Sequence, residues 1–189
     1  MAQYTRKAIL QTFQEMLEKM PFDKITVSAI VTKCEISSNT FYYHFRDIYD
    51  LLDSWLQIKK ECYLESIADD SRWQDIAKVL LKDLKAHSDL VYHLFNSLSR
   101  ERLERSVFDS TDDTFYQFLC RETAGVPIPQ QELRDVAEYN TYSFLGFLLK
   151  FLWNDMEGDV DQGIERIGFI FENNIRWLIS RYSPEEKEK

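Results

Sequence analysis

Apolar residues recur at helical spacing through most of the chain. Ile9, Leu10, Phe13, Met16, Leu17 and Met20 fall at three- and four-residue steps and define one apolar face. This predicts a first helix from about Thr5 to Met20, closed by Pro21. Val27, Ile30 and Val31 repeat the spacing after Thr26, whose hydroxyl suits it to accept an orphan backbone N–H at a helix start. Glu35-Ile36-Ser37 reads as a tight turn with Ile36 as its apolar plug and Ser37 as the next cap. Phe41 and Phe45, four apart, then share a face, leaving Ser38, Asn39, Thr40, Tyr42, Tyr43 and His44 to face elsewhere. The expected product is a three-helix head with a core of Ile9, Phe13, Leu17, Ile30, Ile36, Phe41 and Phe45, and with Phe22 and Ile25 packed beneath.

Asp47 is placed to cap a long helix reaching about Ile67, with Ile48, Leu51, Leu52, Trp55 and Cys62 as its stripe. Ser71 starts the next, with Trp73, Ile76, Ala77, Leu80, Leu81 and Leu84 inside. His87-Ser88-Asp89 breaks the pattern, and Leu90 to Leu98 is strongly apolar. Ser99 to Arg105 alternates charges, as a solvated helix or a connector would, and helical spacing resumes from Asp109 to Arg121. Ala124 to Pro129, with a glycine and two prolines, is the clearest loop of the second half. Two helices follow, about Gln130 to Met156 and Val160 to Tyr182, and then a polar, frayed tail from Ser183 to Lys189.

The first of these two is apolar nearly all round from Tyr142 to Trp153, so both of its sides should be covered. Leu133, Val136, Phe144, Phe147 and Phe151 are assigned to the chain's own core, which leaves Leu145, Leu149, Leu152 and Trp153 for something else. In the last helix Ile164, Ile167, Phe171, Ile175 and Leu178 face inward, with Phe169, Ile170 and Trp177 beside them. A two-fold homodimer sealed by a four-helix bundle accounts for the surplus. The expected fold is therefore all-α, of about nine helices.

Composition agrees: 44% of residues are hydrophobic and 14% aromatic, with five glycines and four prolines. The three cysteines lie far apart with no C-x-x-C, which argues against a disulfide frame or a zinc site. The N-terminus lacks an apolar signal core, and the run from Tyr142 to Trp153 is shorter than the roughly twenty residues a bilayer demands. The expectation is a soluble, cytoplasmic protein that uses no membrane. A net charge of −9 argues against casual nucleic-acid binding, but residues 1–50 hold six Lys/Arg and six Asp/Glu, so that part is neutral. No glycine-rich phosphate loop, metal-spaced cluster or nucleophile–base pair stands out, and His44 has neither carboxylate nor nucleophile placed with it. No enzyme, metal or cofactor is expected.

Two short helices at this separation match a helix-turn-helix, whose second helix enters the major groove N-terminus first. That end here is Ser38-Asn39-Thr40, short polar side chains suited to base edges, followed by Tyr42, Tyr43, His44 and Arg46, which donate to phosphates. The run Ile36-Ser37-x-x-Thr40-Phe41-Tyr42-Tyr43-His44-Phe45, followed by Asp47 and Leu51-Leu52, resembles the TetR family of bacterial transcriptional regulators. The resemblance covers about the first fifty residues; beyond them the match is one of helical pattern and length. Phe41 to Leu52, with Phe151-Leu152-Trp153, looks like the branch containing regulators of dihydroxyacetone kinase operons.

The resemblance implies a DNA-binding head over 1–46, an effector-binding and dimerisation body over 47–189, and a homodimer on a pseudo-palindromic double-stranded operator. Ser38 and Asn39 fall where family members touch bases, and Ser28 where the family reads one. Tyr42, Tyr43 and His44 match phosphate-contacting positions; Thr26, Ser37, Thr40 and Arg46 complete the expected DNA set. Trp55, Tyr92, His93, Tyr116, Tyr139 and Tyr142 are the expected lining of an effector pocket, most other aromatics being core. Leu145, Leu149, Leu152, Trp153, Phe169, Ile170 and Trp177 are the expected dimer face. The chain departs from the family at two places: Glu35 stands where the family often has glycine, and Ile48 where it often has a phosphate-anchoring lysine. Those departures keep an alternative open, a co-regulator or interaction module that binds a protein or effector partner and grips DNA weakly alone.

Overall fold

The computed structural model describes residues 2–65 and 71–183; the tail beyond Ser183 and the expected end of the fourth helix near Ile67 lie outside them. Among the described residues the elements are α1 (Ala2–Leu17), a 3-10 turn (Phe22–Lys24), α2 (Val27–Lys33), α3 (Ser38–His44), α4 (Ile48–Glu65), α5 (Trp73–Ala86), α6 (Ser88–Phe95), α7 (Arg100–Glu122), α8 (Gln130–Trp153) and α9 (Val160–Tyr182). Those residues contain no strand. The segments expected at 99–105 and 109–121 are one helix, α7. Its charged first half is solvated and tied by i,i+4 ion pairs, Arg100 to Glu104 at 2.6 Å and Arg105 to Glu101 at 3.1 Å. The three cysteines are free thiols, and no helix among the described residues is long and apolar enough to cross a membrane.

The chain forms two compact units. One holds α1–α4 and α6; the other holds α5, save its last residue, and α7–α9. The first unit thus runs past the expected boundary at 46, for a packing reason. Leu51 and Leu52 of α4 are fully buried, and Trp55 sets its ring edge-on to Phe13 at 6.1 Å in one core with Ile9, Leu17, Ile30, Phe41 and Phe45. Without α4 Phe13 would keep the ring of Phe22 and lose that of Trp55. Leu94 of α6 joins the same core, and His93 Nδ1 donates to the carbonyl of Leu17, the last residue of α1, at 2.6 Å. That bond satisfies one of the carbonyls every helix end leaves free. Ile36, expected in the core, is only partly buried at its edge.

The second unit is built on aromatic contacts. Trp73 lies 5.5 Å from Phe115 and 5.7 Å from Phe171, and Phe115 and Phe171 meet at 5.2 Å. Gly168 makes room for Gln74 of α5, since a Cβ there would come within 2.5 Å of the Gln74 side chain. Gln74 is buried and donates to Glu172 at 2.6 Å. At the surface Lys78 pairs with Glu165 and Lys82 with Asp161, and these hydrogen bonds hold both carboxyl groups below the usual carboxylate range.

Along α8 the buried positions are Leu133, Ala137, Asn140, Thr141, Phe144, Leu145, Leu148, Phe151 and Leu152, a stripe two residues wide at most turns. Leu145 and Leu152, expected on the dimer face, are therefore buried inside the chain. A one-residue-wide inward stripe would have freed them; α8 instead packs broadly within its own unit, and Leu149 is half-buried. The outward stripe is Tyr139, Tyr142, Gly146 and Trp153, at steps of three, four and seven.

Candidate nucleic-acid interface

Both short helices of the head begin on hydroxyl caps. Thr26 Oγ1 accepts the Ala29 N–H at 3.1 Å, and Ser37 Oγ accepts the Thr40 N–H at 3.1 Å. Each cap spends a lone pair and keeps its O–H proton, so it remains a donor for a phosphate oxygen. The hydroxyls of Ser37 and Thr40 also bond each other at 2.8 Å, so this pair offers one free O–H between them. Asp47 caps α4 through the N–H groups of Tyr49 at 2.8 Å and Asp50 at 2.9 Å.

Phe41 and Phe45 anchor α3 from below, both essentially buried. Ser38 and Asn39 at its N-terminus are exposed, as is Ser28 on α2, whose carbonyl accepts the Thr32 hydroxyl at 2.9 Å; the side chains of all three are uncommitted among the described residues. Tyr42 and Tyr43 are 57% and 78% exposed, so their hydroxyls are available to a partner. His44 is half-buried, with its ring 5.0 Å from that of Tyr43. Arg46 is tied back: its guanidinium lies 3.7 Å from Asp50, which also takes the Arg46 backbone N–H at 2.8 Å. Lys33 is bound to Glu15 at 2.8 Å and Lys24 to Asp23 at 3.2 Å. The surface is thus rich in hydroxyls and poor in free cations.

The turn between α2 and α3 closes as a Schellman motif. Ile36 N–H reaches the Val31 carbonyl at 3.0 Å and Glu35 N–H the Thr32 carbonyl at 3.2 Å. The motif requires a left-handed residue, and Glu35 takes it with φ of +54°. A side chain in that conformation costs about 1 kcal/mol or more. Glu35→Gly is expected to raise folding stability by about 1 kcal/mol and to tighten DNA binding by removing an exposed negative charge. Urea denaturation tests the first part; an unchanged or lower midpoint would show that Glu35 carries no strain.

The six expected pocket residues do not assemble within either unit. Trp55 fills the core of the first unit, its indole N–H 3.4 Å from Gln14 Oε1, and His93 is spent on Leu17. Tyr92 sets its ring 6.5 Å from Phe95 in that same unit. Tyr116 lies under the Arg134 guanidinium, 3.4 Å from its ring centre. Tyr139 and Tyr142 stand on the outward stripe of α8, 56% and 58% exposed. Phenol-tipped residues settle at surfaces where one end stays wet.

Among the described residues Trp73 Nε1 is a buried side-chain donor without a hydrogen-bond partner, and its ring packs against those of Phe115 and Phe171. The sequence pattern had put Trp73 in the apolar face of its helix; the signal that marks it out is a polar tip on an inward position with no complementary side chain in the aromatic run around it.

On α8 and α9 Trp153, Phe169, Ile170 and Trp177 are each exposed by half or more, as is Val79 on α5. Ile170 and Trp177 are two helical turns apart on one face.

Comparison with known proteins gives the family and the fold. The family described as "Bacterial regulatory proteins, tetR family" matches residues 9–54, and "Transcriptional regulator C-terminal region" matches 71–173. The chain is 27% identical over 142 residues to the HTH-type dhaKLM operon transcriptional activator DhaS of Lactococcus lactis subsp. lactis (strain IL1403), covering 64% of this chain and 74% of that protein. The solved structure of a dihydroxyacetone kinase operon activator, DhaS, superposes with a TM-score of 0.57 at 16% identity, covering 94% of this chain and 96% of that one. NalD, the secondary repressor of the MexAB-OprM multidrug efflux pump in Pseudomonas aeruginosa, gives 0.60 at 17% identity, covering 92% and 97%. At these identities the structural likeness speaks for the fold.

Proposed function

We propose, from the premise that this chain belongs to the TetR family of bacterial transcriptional regulators, a specific division of labour among its residues. The protein is a regulator and not an enzyme. Members of its family bind DNA operators as dimers and respond to small molecules. In the proposed arrangement Ser38 and Asn39 read base edges in the major groove, with Ser28 beside them. Thr26, Ser37, Thr40, Tyr42, Tyr43 and His44 hold phosphates. Two copies join through the outward faces of α8 and α9 and read a pseudo-palindrome in the cytoplasm.

One observation carries the reading. The N-terminal end of α3 presents uncommitted Ser38 and Asn39 on a helix fixed by buried Phe41 and Phe45. The test is titration of duplex DNA from upstream of the protein's own gene. Asn39→Ala should cost about 1–3 kcal/mol on the preferred sequence and little on others. Tyr42→Phe should weaken binding by the same factor on every sequence. If both variants bind like the parent, the groove assignment is wrong.

The proposed effector site is the aromatic interior around Trp73. An unpaired buried indole N–H costs roughly 1–3 kcal/mol, so a small molecule bringing an acceptor oxygen and apolar surface would recover that cost on binding. The likeness to DhaS supports a place on that regulator's branch of the family.

A second reading has its own support. Glu35 faces solvent, Ile48 replaces a cation, and no Lys or Arg falls between Cys34 and Phe45. These favour a co-regulator that grips DNA only with a partner. Nanomolar, salt-sensitive operator binding by the purified protein alone would eliminate it.

A further inference from the structure

The DNA-facing surface of the head has a charge deficit. Non-specific affinity for a duplex comes from cations set against phosphates, yet α3 has none, and Lys24, Lys33 and Arg46 are each within 4 Å of a carboxylate. Among the described residues, the cations of the first unit's opening segment without such a partner are Arg6, Lys7 and Lys19. Of these, Arg6 is the one the fold directs toward α3.

The reason lies in the register of α1. Arg6 falls three and four residues before Ile9 and Leu10, on the same face as Phe13. It occupies the first turn of the inward stripe, where the core runs out. Its stem is half-buried, and its guanidinium lies over the ring of Phe45, 5.2 Å from the centroid. Phe45 is the C-cap of α3 and only 2% exposed, so this ring is a fixed platform. A row of rings leads to it from the exposed flank of α3: Tyr43 to His44 at 5.0 Å, His44 to Phe45 at 6.4 Å. Lys7, about 100° further round the helix, is exposed on another side. Lys19 lies thirteen residues along, roughly 20 Å away.

A guanidinium held over a ring can still grip phosphate. The ring takes up none of its five N–H groups, which remain free for a bidentate bond. Little side-chain freedom is left to lose, because the platform has already ordered it. We infer that Arg6, stacked on Phe45, is a phosphate anchor of the head and supplies the cation that Ile48 does not. The inference rests on the DNA-binding reading above.

The experiment measures binding of a fluorescein-labelled, random-sequence 30-base-pair duplex by anisotropy across a potassium chloride series. The full chain is used as parent, Arg6→Gln, Arg6→Lys and Lys19→Gln. Each phosphate contact contributes about 0.9 to the slope of log affinity against log salt. With two copies of Arg6 in a dimer, Arg6→Gln should lower the slope by about 2. Arg6→Lys should keep the parent slope while binding several-fold more weakly at fixed salt, because charge is retained and the fork is lost. Lys19→Gln should leave the slope as it is. A parent slope in Arg6→Gln, or an equal fall in Lys19→Gln, overturns the inference. A parent protein with no salt-dependent binding overturns the DNA-binding reading itself.

Discussion

Lysine at both Phe169 and Trp177 is expected to turn the dimer into a monomer and to lower operator affinity by about 100-fold or more. Phe169 is 62% exposed and Trp177 51% exposed on α9, with Ile170 beside them at 50%. Rings of this kind offer on the order of 100 Å² each to a partner, or roughly 2–3 kcal/mol apiece. Two rings on each of two copies amount to about 10 kcal/mol before the cost of association, so their loss removes a large share of what could hold two copies together. The variant would also have to bury ammonium groups in an apolar seam. Operator affinity falls with the dimer because the second head no longer acts at the high effective concentration that linkage confers. Sedimentation velocity and anisotropy check the two halves of the claim. The head should stay folded, with an unchanged far-ultraviolet circular dichroism spectrum. A variant that still sediments as a dimer would place the interface elsewhere.

Phe13→Ala is expected to have the opposite signature. Phe13 is fully buried and meets Phe22 and Trp55, each at 6.1 Å between ring centres. Deleting a ring at such a site costs about 3–5 kcal/mol, a large part of the roughly 5–15 kcal/mol that holds a domain folded. The head should lose its DNA affinity at 37 °C while the protein remains dimeric. Differential scanning calorimetry should show the transition of the first unit moved to lower temperature. If DNA affinity and the transition both stay at parent values, the core described for the first unit is not the one that supports α3.

The pair of variants also shows why some features were legible in the residues and others were not. Thr26, Ser37 and Asp47 announced their caps because capping depends on a hydroxyl or carboxylate a fixed number of residues from an N–H. The inward stripes of α1 and α9 were legible because one face is buried and the other wet, and α9 begins and ends where its pattern does. The left-handed backbone of Glu35 was legible only through the resemblance, since the family often has glycine at that position. Helix α8 was harder. It is apolar on several sides, so periodicity could not say which leucines face the chain's own core; Leu145 and Leu152 were placed outward and lie inward. The extent of the first unit depends on contacts of Trp55 and Leu94 with residues far away in sequence. The lone donor of Trp73 is likewise a matter of what fails to arrive beside it, and Arg6 shows its meaning only once Phe45 is seen beneath it.

Two copies clasped through α8 and α9 are expected to offer two α3 helices to one duplex. Selection of the purified protein against a random-sequence duplex pool tests it most directly. An inverted repeat should be enriched, its half-sites about 10–10.5 base pairs apart or a multiple of that, with Asn39→Ala relaxing preference at symmetric positions in both halves. Enrichment of a single unrepeated half-site, or a selected sequence indifferent to Asn39, would contradict it.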